Sequence, residues 1–140
     1  MKKHPPIGPT AALGRKVTRF TQLDTFPKPP GIYEVSCISD EVTANCPVTS
    51  QPDWYQVEIK YEPRNLCVES KSLKLYLQSF RNKGLFCESF ADRIARELQA
   101  ALKAHSVRVT IVQKSRGGIS IVARALVRGN VPFNPLRVAR

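Results

Sequence analysis

Between Trp54 and Tyr61 the chain alternates, with Tyr55, Val57, Ile59 and Tyr61 on one face and Gln56, Glu58 and Lys60 on the other. A period of two is that of a strand with one buried side. Ile32–Ile38, bounded by Gly31 and Asp40, fits a shorter strand ahead of it. The period then changes. In "SKSLKLYLQSFRN", residues 70–82, Leu73, Tyr76, Leu77 and Phe80 recur at spacings of three and four, and Gly84 follows closely enough to help stop a helix. "ESFADRIARELQAALKA", residues 88–104, repeats the pattern with Phe90, Ile94, Leu98 and Leu102 among strong helix formers. "VRVTIVQ" and "GISIVARALV" read as two more strands, joined through "KSRGG", whose glycines permit a tight connection. The order ββααββ predicts an α+β fold, a four-stranded antiparallel sheet with two helices on one face. Four strands leave open edges that invite pairing between subunits, so an oligomer is expected.

Residues 1–30 are rich in Pro, Gly, Thr and Lys without either period, which predicts an irregular arm before a domain at 31–128. Residues 129–140, "GNVPFNPLRVAR", predict an irregular basic tail. Lys and Arg outnumber Asp and Glu by 22 to 11 in 140 residues, and an excess of +11 suits an anionic partner such as a nucleic acid or a phosphorylated cofactor. No apolar run has the length of a signal-peptide core or a membrane span, so a cytoplasmic protein is expected. Cys37, Cys46, Cys67 and Cys87 form no CxxC pair, which predicts free thiols and no metal site. With His4 and His105 the only histidines, a Cys-His or Ser-His nucleophile pair is not expected.

One loop carries candidate chemistry. In "CPVTSQPD" a cysteine, Cys46, precedes an aspartate, Asp53, by seven residues, with two prolines stiffening the stretch between them. Cys46 falls in a polar loop rather than on an apolar face, where basic neighbours would favour its reactive thiolate. Asp53, opening the next strand, could pass protons to and from whatever the thiolate attacks.

"CPVTSQPD", "VESKSLKLYLQSFRN", "FCE" and "SRGGIS" occur in an order and spacing that resembles the single-module 7-cyano-7-deazaguanine (preQ0) reductases of queuosine biosynthesis, of the tunnelling-fold superfamily. The resemblance spans about residues 34–122 and implies a nitrile oxidoreductase in a tRNA-modification pathway, using two NADPH per aminomethyl product. It implies Cys46 as the nucleophile that forms a thioimide and Asp53 as the proton donor. It further implies Val68, Glu69, Ser70 and Glu88 at the deazapurine, and "ESKSLKLY" at the cofactor, with Lys71, Lys74 and Arg116 as phosphate partners. The family's Phe-His-Glu appears as Phe86-Cys87-Glu88, so Cys87 stands where a histidine would touch substrate. The family also implies rings of subunits, two pentamers paired as a decamer. Two alternatives remain at this point: an archaeosine-type amidinotransferase acting on cyano-deazaguanine in tRNA, and a non-enzymatic RNA-binding module. The positive charge suits both, whereas the intact "ESKSLKLY" favours NADPH.

Overall fold

The computed structural model describes residues 19–130. In order these are β1 (Thr25–Pro27), β2 (Val35–Asn45), β3 (Pro52–Glu62), β4 (Leu66–Val68), α1 (Ser70–Gln78), α2 (Cys87–Leu102), β5 (Ser106–Arg116) and β6 (Ile119–Arg128). Four long strands pair antiparallel in the order β2-β3-β5-β6, and both helices pack on one face of that sheet. The expected α+β class therefore holds.

Alternation in β3 buries the expected set, Tyr55, Val57, Ile59 and Tyr61. Val107, Val109 and Ile111 of β5 continue that face, and Phe90, Ile94, Leu98 and Leu102 of α2 close over it. Each such side chain contributes roughly 1.5–3 kcal/mol by leaving water. The hairpin after β5 turns through Gly117 and Gly118 at φ 57 and 78, values that a side chain resists and glycine does not.

Three expectations need correction. The first strand does not end before Asp40: it begins at Val35 and runs to Asn45, because a register shift between Ser39 and Val42 absorbs Asp40 and Glu41 as a bulge. The first helix ends at Gln78, earlier than the periodicity suggests, and Gly84 has a different task. A Cβ there would lie 3.3 Å from Pro47 Cα, so glycine admits the close approach of the loop after β2. The arm is not irregular throughout either, and two short strands add to the expected six elements. β1 pairs antiparallel with β4, Asp24 N–H donates to Ser72 Oγ (2.9 Å), and Glu69 N–H donates to Asp24 O (2.8 Å). Residues 1–18 of the arm and 131–140 of the tail lie outside the described residues.

Candidate active site

The Cys46 loop is a closed turn between β2 and β3. Cys46 N–H donates to Gln51 O (2.8 Å) and Ser50 N–H donates back to Cys46 O (2.9 Å), with Ser50 in the left-handed region at φ 58. Leu85 N–H to Asn45 O (3.0 Å) and Asn45 N–H to Lys83 O (2.9 Å) tie the strand end to the segment leading into α2. Pro52 lies across from Asn45, and Asp53 across from Ala44.

This loop favours the Cys46 thiolate. The Thr49 hydroxyl is the largest influence, followed by the backbone N–H groups of Thr49 and Val48, and the Arg116 guanidinium adds to them; together they bring the thiol down to about 7. The side chain is only 6% exposed, yet it sits in a peripheral loop, and burial opposes the charge less than these donors support it. Burial instead pushes Cys37 and Cys87 up, helped by Cys67 and Glu88 respectively. Cys46 is thereby set apart from the other thiols.

Asp53 points inward and is 3% exposed. Arg116 Nε lies 3.0 Å from its Oδ1, and with the Gln113 amide oriented to suit both residues, Gln113 Oε1 accepts from Arg116 Nε (3.1 Å) and Nη2 (3.0 Å). The guanidinium N–H is aimed at Gln113, so Oδ1 has a charge partner but no hydrogen bond. Arg116 thus joins Asp53 and Cys46, a placement that its expected role at cofactor phosphates does not require. Cys87 is buried near the same carboxylate, while Glu88, one step along α2, is exposed. Adjacent helix positions diverge by about 100°, which separates the pair.

The remaining expected residues gather around the start of α1. Glu69 is its N-cap and accepts from Lys71 N–H and Ser72 N–H, both at 2.8 Å, through its two carboxylate oxygens. Val68 is buried and its N–H donates to Tyr61 Oη (3.0 Å). Ser70 and Lys74 line a groove of about 580 Å³ between β2 and α1, which Gln78 and Arg81 extend. Lys71 is exposed and does not line it. Arg81 was not singled out in the sequence, although it continues the 70, 74, 78 stripe; Thr49, Tyr55 and Gln113 gave no sequence signal beyond loop and strand positions.

Residues 52–134 match the family model described as "QueF-like protein". The chain belongs to the QueF-like family. Curated proteins named NADPH-dependent 7-cyano-7-deazaguanine reductase resemble it at length. The Frankia casuarinae protein is 42% identical over 76% of this chain and 85% of its own. That of Anaeromyxobacter sp. strain K is 46% identical over 74% and 86%, and that of Syntrophus aciditrophicus 41% over 89% and 91%. Among solved structures, the apo form of an archaeosine synthase QueF-Like superposes with a TM-score of 0.66 at 24% identity, covering 75% of this chain and all of that one. That likeness speaks to the family's fold.

Proposed function

We propose that this chain is an NADPH-dependent reductase of 7-cyano-7-deazaguanine, with Cys46 as nucleophile and Asp53 as proton donor. One observation carries the reading: a thiol brought down to about 7 shares Arg116 with a buried carboxylate. A nitrile carbon is electrophilic but accepts hydride poorly, so the thiolate adds to it first. The C–S bond forms as one C≡N π bond breaks, and Asp53 gives its proton to the nitrogen. The product of this step is a thioimide on Cys46. NADPH, when bound, supplies hydride to carbon, twice for each nitrile reduced. Between the two reductions Cys46 leaves carbon as thiolate, which its low pKa permits. Asp53 gives one proton at each stage, leaving a carboxylate facing Arg116, and takes a proton from solvent before the next.

The donor set of the groove fits a phosphorylated cofactor, because Lys74 and Arg81 stand on one side of it with Ser70 and Gln78 between and beyond them. Lys71 lies next to that stripe in sequence, and Arg116 stands apart from it, beside Asp53. Val68, Glu69, Ser70, Cys87 and Glu88 are the proposed contacts to the deazapurine, whose ring N–H groups suit a carboxylate anchor. The relatives named as NADPH-dependent reductases favour reduction over amidine transfer or RNA binding, neither of which uses nicotinamide.

The ring assembly expected of the family also belongs to this reading. Strands β2 and β6 are unpaired edges among the described residues, and the sheet face away from the helices carries Ile38 (65% exposed), Trp54 (52%), Val122 and Leu126. No helix among the described residues is long and apolar enough to cross a membrane. The deciding experiment incubates the protein with the nitrile and NADPH, following NADPH absorbance and intact mass. Cys46→Ala should lose both turnover and the covalent adduct; an adduct that survives in the variant overturns the assignment.

A further inference from the structure

Two buried polar atoms at this site make no hydrogen bond, although each has a neighbour that acts on it, Arg116 for Asp53 Oδ1 and Asp53 itself for Tyr55 Oη, and they are complementary. Asp53 Oδ1 is an acceptor without a hydrogen bond, and Tyr55 Oη is a donor without one. The residues are two apart on β3, where side chains at i and i+2 share a face, and both are inward. Gln113, directly across from Tyr55 on β5, holds Arg116 against the same carboxylate. A tyrosine ring at this position needs no hydroxyl to pack. It is 0% exposed and meets the Phe90 ring edge-on at 5.4 Å, contacts that phenylalanine would reproduce. Burying an unpaired hydroxyl costs stability, so its presence calls for a reason other than folding.

We propose that Tyr55 is a positioning residue for the proton donor, its hydroxyl donating to Asp53 Oδ1 once Asp53 has passed its proton to the substrate nitrogen. This rests on Asp53 being that donor. Protonated Asp53 carries its own O–H and has little need of another. After transfer the carboxylate has a free acceptor, and the hydroxyl turns about its C–O bond to meet it. No net proton leaves tyrosine in this step. Burial, with Asp53 and Cys87 adding to it, pushes the phenol well above its usual range, so Tyr55 stays a donor at every working pH and never competes as a base. The hydroxyl is then an oriented dipole waiting for charge that appears only during the reaction, the arrangement that lowers barriers most effectively. Cys87, where the family places histidine, is a poor substitute as a hydrogen-bond donor, and Tyr55 supplies the stronger donor in that neighbourhood.

The test is Tyr55→Phe, alone and combined with Asp53→Asn, measured with the nitrile and NADPH. Alone, it should lower kcat about tenfold, the scale of one charge-assisted hydrogen bond. The KM for the nitrile should stay unchanged, and the denaturant midpoint should stay level or rise, because an unpaired buried group is gone. In the Asp53→Asn background the same change should cost nothing, since the charge it serves is absent. Full kcat in Tyr55→Phe, or an equal loss in both backgrounds, overturns the proposal. A fall in stability matching the fall in kcat overturns it too, as a packing role. If Asp53→Asn itself turns over normally, it is the assignment of the donor that fails, a result separate from these.

Discussion

Thr49→Val removes the hydroxyl that does most to hold Cys46 ionised, while keeping the shape of the side chain. A thiol at the ordinary 9.0 is about 1% thiolate at pH 7, whereas one at about 7 is about half thiolate. In the variant the N–H groups of Val48 and Thr49 and the Arg116 guanidinium remain, so the midpoint should settle between these limits. Halfway between, the thiolate fraction at pH 7 drops about fivefold. A thiolate of higher pKa is also the better nucleophile, and a Brønsted slope of about 0.4–0.5 returns roughly threefold once it is ionised. The two effects make the rates cross. The variant should react about twofold more slowly than the parent at pH 7 and about three- to fourfold more slowly below pH 6, and above pH 9 about threefold faster.

The assay is stopped-flow reaction with a small neutral disulfide from pH 5.5 to 10, with peptide mapping to confirm Cys46 as the modified residue. Cys37 and Cys87, whose thiols burial pushes up, should contribute little. Loss of Thr49 Oγ1 also removes an acceptor for Gln51 N–H, but at 3.3 Å that bond is long and exposed. A parent midpoint near 9 would refute the reading of the loop. So would a variant slowed by one constant factor at all pH values, because that pattern means lost geometry rather than lost ionisation.

Asp53→Asn keeps the shape but cannot give a proton, and should lower turnover by about 100-fold with the Cys46 thiol still reactive toward the disulfide. Lys74→Ala and Arg81→Ala should raise the KM for NADPH more than that for the nitrile, and added salt should act in the same direction; equal effects on both constants would point away from the groove. Glu69→Ala should cost about 1 kcal/mol of stability in denaturant titrations, because both carboxylate oxygens cap α1; a variant of parental stability would free Glu69 for a wholly ligand-directed role.

The parts legible in the sequence are those with a strong period. β3, β5, β6 and both helices bury one apolar face each, and a period of 2 or 3.6 reports that directly. β1 and β4 are three residues long, too short for any period, and exist because Tyr61 Oη and Asp24 secure their neighbourhood from elsewhere in the chain. The bulge in β2 read as an end, since Asp40 and Glu41 look like turn residues and only pairing with β3 shows that the strand continues. At the site, Cys46 and Asp53 were legible because they share one loop. Arg116 was visible as a residue but not as their partner, because it arrives from the far end of β5 and only sheet register places it there. The Tyr55 side chain reads as core, which its ring is; nothing in an alternating pattern marks a buried hydroxyl that stands two residues along the same face from a buried carboxylate.

Cysteine at position 87, where the family resemblance implies histidine, has a physical consequence. An imidazole there would titrate near pH 6.5 and could both give and take protons in the working range. Cys87 cannot, because burial and the Glu88 charge hold its thiol protonated there, and a neutral thiol is a weak donor. In the proposed mechanism proton transfer then falls to Asp53, whose carboxylate has Arg116, braced by Gln113, as its charge partner and the Tyr55 hydroxyl as an unused neighbour. In the proposed mechanism Arg116 serves both ends of the reaction, since the same guanidinium lies against the Cys46 thiol and the Asp53 carboxylate. With no imidazole at the site among the described residues, the rise of activity through neutral pH should follow Cys46 ionisation at about 7. Cys87→His would add a second titrating group to that limb, steepening or splitting it, whereas an unchanged profile would mean that position 87 takes no part in the proton balance.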